Sequence, residues 1–409
     1  MPPRPAPALP ASFIRLSFSN LAAQVSEQIA LAAAPLVAVL VLGMGAAATG
    51  YLQTAQTLPF LLLSLPAGVL ADRVSRHRLM AGAEALRTLA LCAILALLLF
   101  GGMSLPALAA LGFIGTVGTV VYTVTAPALV PTLVARDVLA HANRWLELGR
   151  SAAFAAGPAL GGALVGLIGA PIAYAGATLL SLIAVRLLAG LPPSPVATRA
   201  HRHIMQELKE GASYAIGHPL LRPILVTAIF FNTAWFILQA IYVAYAVQHL
   251  GLTAGEVGMT LGTYGAGMIT AAALAPGLSR HVSFGAVVAS GPASALAASV
   301  LMLLSWSWPS GWLAACSFFL FGAGPTLWTI ATTTLRQSIT PGPLLGRVSA
   351  VIVTATFGAR PIGAAIGATL AAGLGVEACL WASTAAFAVQ FLILFASPVR
   401  RLARLPEPA

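Results

Sequence analysis

The residues that could carry chemistry begin with one carboxylate and three amides in an apolar segment near the N-terminus. Glu27 lies near the middle of residues 13–42, and Asn20, Gln24 and Gln28 lie close to it. Their successive spacings of 4, 3 and 1 place the four side chains on one helix face. A carboxylate inside a bilayer tends to face an aqueous cavity, and burial favours its protonated form. We therefore predict that Glu27 binds protons beside amides that line a cavity.

A second polar stripe lies in the apolar segment 219–249, where amides alternate with aromatic side chains. Its members are Asn232, Trp235, Phe236 and Gln239. Two such stripes facing each other would form a cavity for an amphipathic solute. The alternative is that the amides only join neighbouring helices by hydrogen bonds.

Three further candidates for the cavity lie in other apolar segments: Tyr122, Trp328 and Arg360. Arg360 has no acid at helical spacing and therefore needs a partner from another helix or a polar cavity. By contrast, Arg87 follows Glu84 by three residues, and Arg150 follows Glu147 in the same way. Such pairs neutralise each other on one helix face, which predicts a structural role for both.

The elements that must position these side chains are membrane-spanning helices. The chain is 59% hydrophobic and only 8% charged, against about 25% in a soluble domain. Apolar runs and breakers predict an all-α membrane protein with twelve spans in two six-helix halves. The predicted spans are 13–42, 48–71, 79–101, 105–130, 141–168, 170–190, 219–249, 254–279, 284–306, 309–335, 344–373 and 376–397.

The predicted organisation is an N-terminal half over 1–190, a linker over 191–218 and a C-terminal half over 219–409. Within the linker, residues 203–216 have the pattern of a short amphipathic helix on the membrane surface. The net charge of +11 is spread over short loops on one side, which sets orientation and does not predict a nucleic-acid partner. That side is predicted to be cytoplasmic, with both termini. The three cysteines lie inside apolar runs and are predicted to be buried, without disulfides.

A short basic stretch between the second and third spans carries the most specific motif. Gly68 is followed by Asp72, Arg73, Arg76 and Arg78 in the order Gly-x-x-x-Asp-Arg-x-x-Arg-x-Arg. This order at this place resembles the loop signature of the major facilitator superfamily of transporters. The resemblance implies that Gly68, Asp72, Arg73 and Arg76 form a latch that holds the two halves together in the outward-facing state.

A second motif lies in the fifth span, where Gly157, Pro158, Gly161 and Gly162 occur together. Proline removes a backbone hydrogen bond, and glycines allow close helix contact. The motif resembles the fifth-helix motif of exporters in the superfamily, and the first half resembles its bacterial enterobactin exporter and macrolide efflux branch. The fourth span, 105–130, lacks the arginine usual in the drug/proton antiporters, which leaves Glu27 as the proton-coupling candidate.

The sequence predicts a monomeric exporter of small amphipathic molecules in the bacterial inner membrane, working by proton antiport and alternating access. Its partners are the solute, protons and the bilayer. The sequence has no enzyme, metal or cofactor signature. The alternative is a lysophospholipid flippase of the same fold. A membrane-embedded enzyme or a sensor would need a catalytic cluster or a soluble domain, and the sequence shows neither.

Overall fold

The structure, a computed structural model, describes residues 9–135, 138–192 and 204–406. The described chain folds into thirteen α-helices. Their bounds are α1 Ala11–Leu36, α2 Ala46–Arg73, α3 Arg76–Leu99, α4 Leu105–Leu133, α5 Leu139–Leu167, α6 Ala170–Ala189, α7 Ile204–Gly217, α8 Leu221–Gln248, α9 Ala254–His281, α10 Phe284–Ser307, α11 Gly311–Ile339, α12 Gly342–Gly373 and α13 Val376–Phe395.

Eleven of these helices are long and apolar enough to cross a bilayer. The twelfth long helix, α5, carries Glu147 and Arg150 as well as several glycines, which lower its hydropathy. Helix α1 continues as a π-helical turn over Val37–Val41, directly after Pro35. The prediction of an all-α membrane fold with twelve spanning helices is confirmed.

The structure changes two details of the predicted elements. The basic stretch is hardly a loop, because Arg73 ends α2 and Arg76 begins α3. Only Cys379 is buried, as predicted, whereas Cys92 and Cys316 are exposed on the outer faces of their helices. Apolar runs in a membrane protein give no sign of which face meets lipid, so burial of cysteines could not be read from hydropathy alone.

We call α1–α6 the first half, α8–α13 the second half, and the end of the molecule that contains Arg73 and Arg76 the basic end. The halves pack closely at the opposite end. There, Thr49 Oγ1 donates a hydrogen bond to the carbonyl oxygen of Ala240 at 2.9 Å, and Gln248 Nε2 donates to Met44 at 3.2 Å. A methyl group built on Gly50 would overlap Ala368 of α12. The cavity between the halves is therefore closed at this end.

The helix α7 joins the halves at the basic end and packs against the start of α12. Arg347 forms ion pairs with Glu210 and, at 3.6 Å, with Glu207, while Tyr214 donates a hydrogen bond to the carbonyl of Ile339 at 3.0 Å. A methyl group built on Gly211 would lie 2.6 Å from the backbone of Arg347. The amphipathic linker helix predicted for residues 203–216 is thus present as α7, and it is docked on the second half.

Gly211→Leu should release α7 from α12, because the new side chain has no space against Arg347. Overpacking of about 1–2 kcal/mol would raise the undocked fraction about 5- to 30-fold. Limited trypsin digestion should then cut after Lys209 faster by the same factor, with cleavage quantified by mass spectrometry. Gly217→Leu is the matched control on the same helix, since nothing lies within 4 Å of its built methyl group. Equal cleavage of the two variants would contradict the docking role of Gly211.

Candidate functional site

A cavity of about 780 Å³ lies between the two halves. It is lined by every helix of the first half and by α8, α9, α11 and α12 of the second. From the middle of the bundle it extends towards the basic end, where Glu147, Ala272 and Ile330 line it. Its wall combines aromatic rings, amides and a few charged groups, which is the composition of a site for an organic solute.

A carboxylate, an arginine and a second carboxylate form a connected group on the first-half side of the cavity. Arg87 of α3 lies 3.5 Å from the Glu27 carboxylate and 2.6 Å from that of Glu84. Ser181 of α6 donates a hydrogen bond to Glu84 at 2.5 Å, and Arg87 donates to the Ala23 carbonyl at 2.8 Å. Glu84 is 1% exposed, whereas 20% of the Glu27 side chain is accessible. Glu27 is therefore the carboxylate of the group that the cavity reaches.

Arg360 of α12 lies on the second-half side of the same cavity. Its guanidinium carbon is 4.3 Å from the ring centre of Phe357, 5.1 Å from that of Phe60 and 5.6 Å from that of Phe236. No carboxylate of the described residues lies within ion-pair distance, and its Nε is buried without a hydrogen-bond partner there. Aromatic rings attract a cation but do not neutralise its charge. Arg360 is a partly buried cation without a counter-ion among these residues.

The cavity wall contains a third charged group, on α5. Arg150 and Glu147 form a two-point ion pair, and the guanidinium of Arg150 also lies 5.5 Å from the ring centre of Phe154. The predicted pairing within the helix is present. Both residues line the cavity towards the basic end, so the pair also contributes to its surface.

Most of the side chains predicted for the cavity do line it. They are Glu27, Gln28, Asn232, Trp235, Phe236, Gln239 and Arg360. Asn232 also donates a hydrogen bond to the Ala228 carbonyl of its own helix at 2.9 Å. Trp235 packs against Tyr264 and Phe321, with ring centres 5.2 and 4.8 Å apart.

Four of the residues predicted for the cavity are not among its lining residues in this conformation. Asn20 and Gln24 share the helix face of Glu27 but lie one to two turns nearer the basic end of α1. Tyr122 is buried in the apolar core of the first half. Trp328 packs on Gly291 of α10, on a different face of α11 from the residues that line the cavity.

The glycines of the fifth-span motif lie at close helix contacts on two sides of α5. Gly157 and Gly161 face α1, where a methyl group on Gly161 would lie 3.0 Å from the Ile29 carbonyl. Gly162 faces α9 of the other half, with 2.6 Å between its built methyl group and the Cα of Gly258. Pro158 lies between them, inside α5.

The predicted latch is not engaged through its glycine in this conformation. A methyl group on Gly68 would meet only a methyl of Val124, in its own half, at the ordinary distance of 3.8 Å. The close helix approach that a glycine permits is therefore absent at Gly68 among the described residues. Arg73 is exposed, and the Asp72 side chain lies outside the described part of the structure.

Arg87 is the main cavity residue that the sequence interpretation missed. Its pairing with Glu84 was correct, but the same guanidinium also reaches Glu27. An ionisable side chain within a span marks a functional site more often than a structural one, and that rule would have identified Arg87. The spacing of Arg87, Leu91 and Ile94, which share the cavity face of α3, is a second usable signal.

Solved structures of transporters have the same fold. A bacterial homologue of the iron transporter ferroportin in an inward-facing state matches with a TM-score of 0.73 at 16% identity, over 95% of this chain and 99% of that one. A nucleoside transporter gives 0.74 at 13% identity over 94% and 98%. A D-xylose–proton symporter gives 0.71 at 13% over 97% and 98%. A comparison with curated proteins gives no match.

Two helical halves around a central cavity are the architecture of major facilitator transporters. Residues 7–406 match the family described as transmembrane secretion effectors. The chain belongs to this family of major facilitator transporters. The resemblance found in the sequence motifs is thus confirmed at the level of the superfamily.

Proposed function

We propose that this chain is a secondary active exporter of small amphipathic molecules that exchanges its solute for protons. It would act in the bacterial inner membrane as a monomer, with both termini in the cytoplasm. Export is supported by the family's description as secretion effectors and by the glycine motif of α5. The observation that carries the proposal is the group formed by Glu27, Arg87 and Glu84.

This group has the charge balance of a proton site. Two carboxylates share one guanidinium, so the group carries one net negative charge when both are ionised. Binding of one proton neutralises it, and Arg87 can keep its closer partner Glu84 at 2.6 Å. Since Glu27 is the accessible member, it is the group at which a solute and a proton would compete.

The conformation supports alternating access. The halves are packed at the end opposite Arg73, while the cavity extends towards the basic end. If that end is cytoplasmic, as the positive-inside bias predicts, the solute enters from the cytoplasm in this state. Closure at the basic end would then bring the latch of Gly68, Asp72, Arg73 and Arg76 into contact with the second half.

The lysophospholipid flippase is less well supported as an alternative. A lipid substrate needs a lateral path from the bilayer into the central cavity. An apolar groove of about 490 Å³ does lie between α1 and α6, with Phe18 and Leu187 in its wall. Of the residues that the structure describes, it shares none with the lining of the central cavity, and those that line it all belong to the first half.

The test is transport by purified protein in proteoliposomes, with a panel of macrolides, dyes, siderophore precursors and detergents. A pH gradient, with the acidic side at the face opposite the basic end, should drive at least one compound against its concentration gradient. Protein-free vesicles and the ionophore nigericin, which collapses the pH gradient, are the controls. Uptake in the direction of proton movement, or no transport of any compound, would contradict the proposal.

A further inference from the structure

Two charged groups of the cavity that lack a full counter-charge, Glu27 and Arg360, face it from different halves. Glu27 presents its accessible carboxylate from α1, and Arg360 presents an unneutralised guanidinium from α12. No ion pair joins these two groups in the described part of the structure. The cavity therefore has a negative pole on the first half and a positive pole on the second.

The wall between these poles is apolar and aromatic. Phe60 and Phe236 contact the guanidinium of Arg360, and Trp235 and Leu31 line the cavity nearby. A buried cation without a counter-ion is costly, and so is a buried carboxylate that lacks a full partner. A solute that supplies both missing charges would reduce both costs at once.

We propose that the transported solute is an amphipathic zwitterion whose cationic group binds Glu27 and whose carboxylate or phosphate binds Arg360. This assignment rests on the proposed function and names its substrate class. The apolar body would extend from these charged groups along the aromatic wall. Because the cationic group and a proton compete for Glu27, the assignment agrees with proton antiport. Because Arg360 is on α12, the bound solute joins the two halves.

Four aromatic probes with one common body test the assignment by calorimetric binding to the purified transporter. They are 3-(2-naphthyl)alanine with both charges, 2-(2-naphthyl)ethylamine with only the ammonium, 3-(2-naphthyl)propionate with only the carboxylate, and 3-(2-naphthyl)propionamide with neither. Each charge-assisted contact should strengthen binding about tenfold. The zwitterion should therefore bind about 100-fold more tightly than the neutral amide.

Two substitutions assign the contacts. Arg360→Gln should remove the tenfold advantage of the propionate over the amide, and Arg360→Lys should keep part of it. Glu27→Gln should remove the advantage of the ethylamine and leave that of the propionate. Arg186→Gln is the control, since Arg186 lies in the last turn of α6 and outside the cavity lining. If a cavity variant fails to fold, the four-probe series on the wild type still shows whether each charge of the solute strengthens binding.

Two lysolipids test in parallel whether the zwitterionic solute is a lipid. Lysophosphatidylethanolamine carries both charges, whereas lysophosphatidylglycerol carries only the phosphate. A preference for the doubly charged member in either series supports the assignment and identifies the source. Equal binding within both series, or tightest binding of a singly charged member, would overturn it. Because binding requires no transport, selective binding without vesicle transport would contradict the proposed function alone.

Discussion

Glu27→Gln should abolish proton-driven accumulation of solute in proteoliposomes while leaving intact the exchange of solutes that lack a cationic group. With one proton exchanged per solute, a gradient of about two pH units can sustain a solute ratio of about 100-fold. Glutamine preserves the size of the side chain but cannot release a proton. The expected ratio for the variant is therefore 1, that is, equal solute on both sides. The measurement is the steady-state solute ratio at an imposed pH gradient.

Counterflow separates coupling from binding in this experiment. Without a pH gradient, exchange of labelled for unlabelled solute requires the cavity and the conformational change but no net proton movement. We expect Glu27→Gln to keep exchange of solutes that lack a cationic group. Glu377→Gln is the matched control, because Glu377 is exposed at the start of α13 and its carboxylate contacts only Trp381 among the described residues. A variant that still builds the 100-fold ratio would place proton coupling elsewhere.

The neighbouring charges explain why the loss should be specific. In the variant, Arg87 retains Glu84 at 2.6 Å and the Ala23 carbonyl at 2.8 Å, so its side chain is still held. The remaining pair is neutral, which is the charge state of the protonated wild type. Glu27→Gln should thus fix the transporter in the equivalent of its proton-bound form without leaving a buried charge unpaired.

The spans could be predicted from the sequence because a bilayer imposes one length and one composition on every spanning helix. The ends were harder to predict. Helix α11 continues to Ile339, four residues beyond its predicted end, and α12 begins at Gly342 instead of 344. Both ends lie at the basic end, where the sequence is more polar and hydropathy is a weaker guide to whether a helix continues.

The helix face that lines the cavity could be predicted from the sequence, but how far the cavity extends along the helix could not. Helical periodicity correctly put Glu27 and Gln28 on the inner face of α1, yet it could not tell that Asn20 and Gln24 lie outside the cavity lining. The residues around Arg360 also could not be predicted from the sequence. They combine Phe60 of α2 with Phe236 of α8 and Phe357 of its own helix, and such contacts depend on how the halves meet.

Gly258→Leu should open the end of the transporter that is closed in this structure. Gly258 of α9 faces Gly162 of α5, and a methyl group built on Gly258 would lie 2.7 Å from the Pro158 carbonyl and 2.8 Å from the Gly162 Cα. Both neighbours are backbone atoms and cannot turn aside. Overpacking of about 1–3 kcal/mol in this conformation alone would shift the population towards the opposite state about 5- to 150-fold.

The shift is measurable as a distance between two spin labels in a background without cysteines. Phe100→Cys and Trp308→Cys place the labels on exposed positions of the two halves at the closed end. The longer distance should gain population in Gly258→Leu but not in Gly255→Leu, because a methyl group on Gly255, in the same helix, meets nothing within 4 Å. Gly162→Ala adds a single methyl to the same contact and should shift the population in the same direction by less. Identical distance distributions in Gly258→Leu and Gly255→Leu would show that this contact does not hold the end closed. The close contact between α5 and α9 lies where the two halves meet, so we expect its glycines to affect the conformational change. Gly267 and Gly322 lie at the contact of α9 with α11, so they allow close packing within the second half.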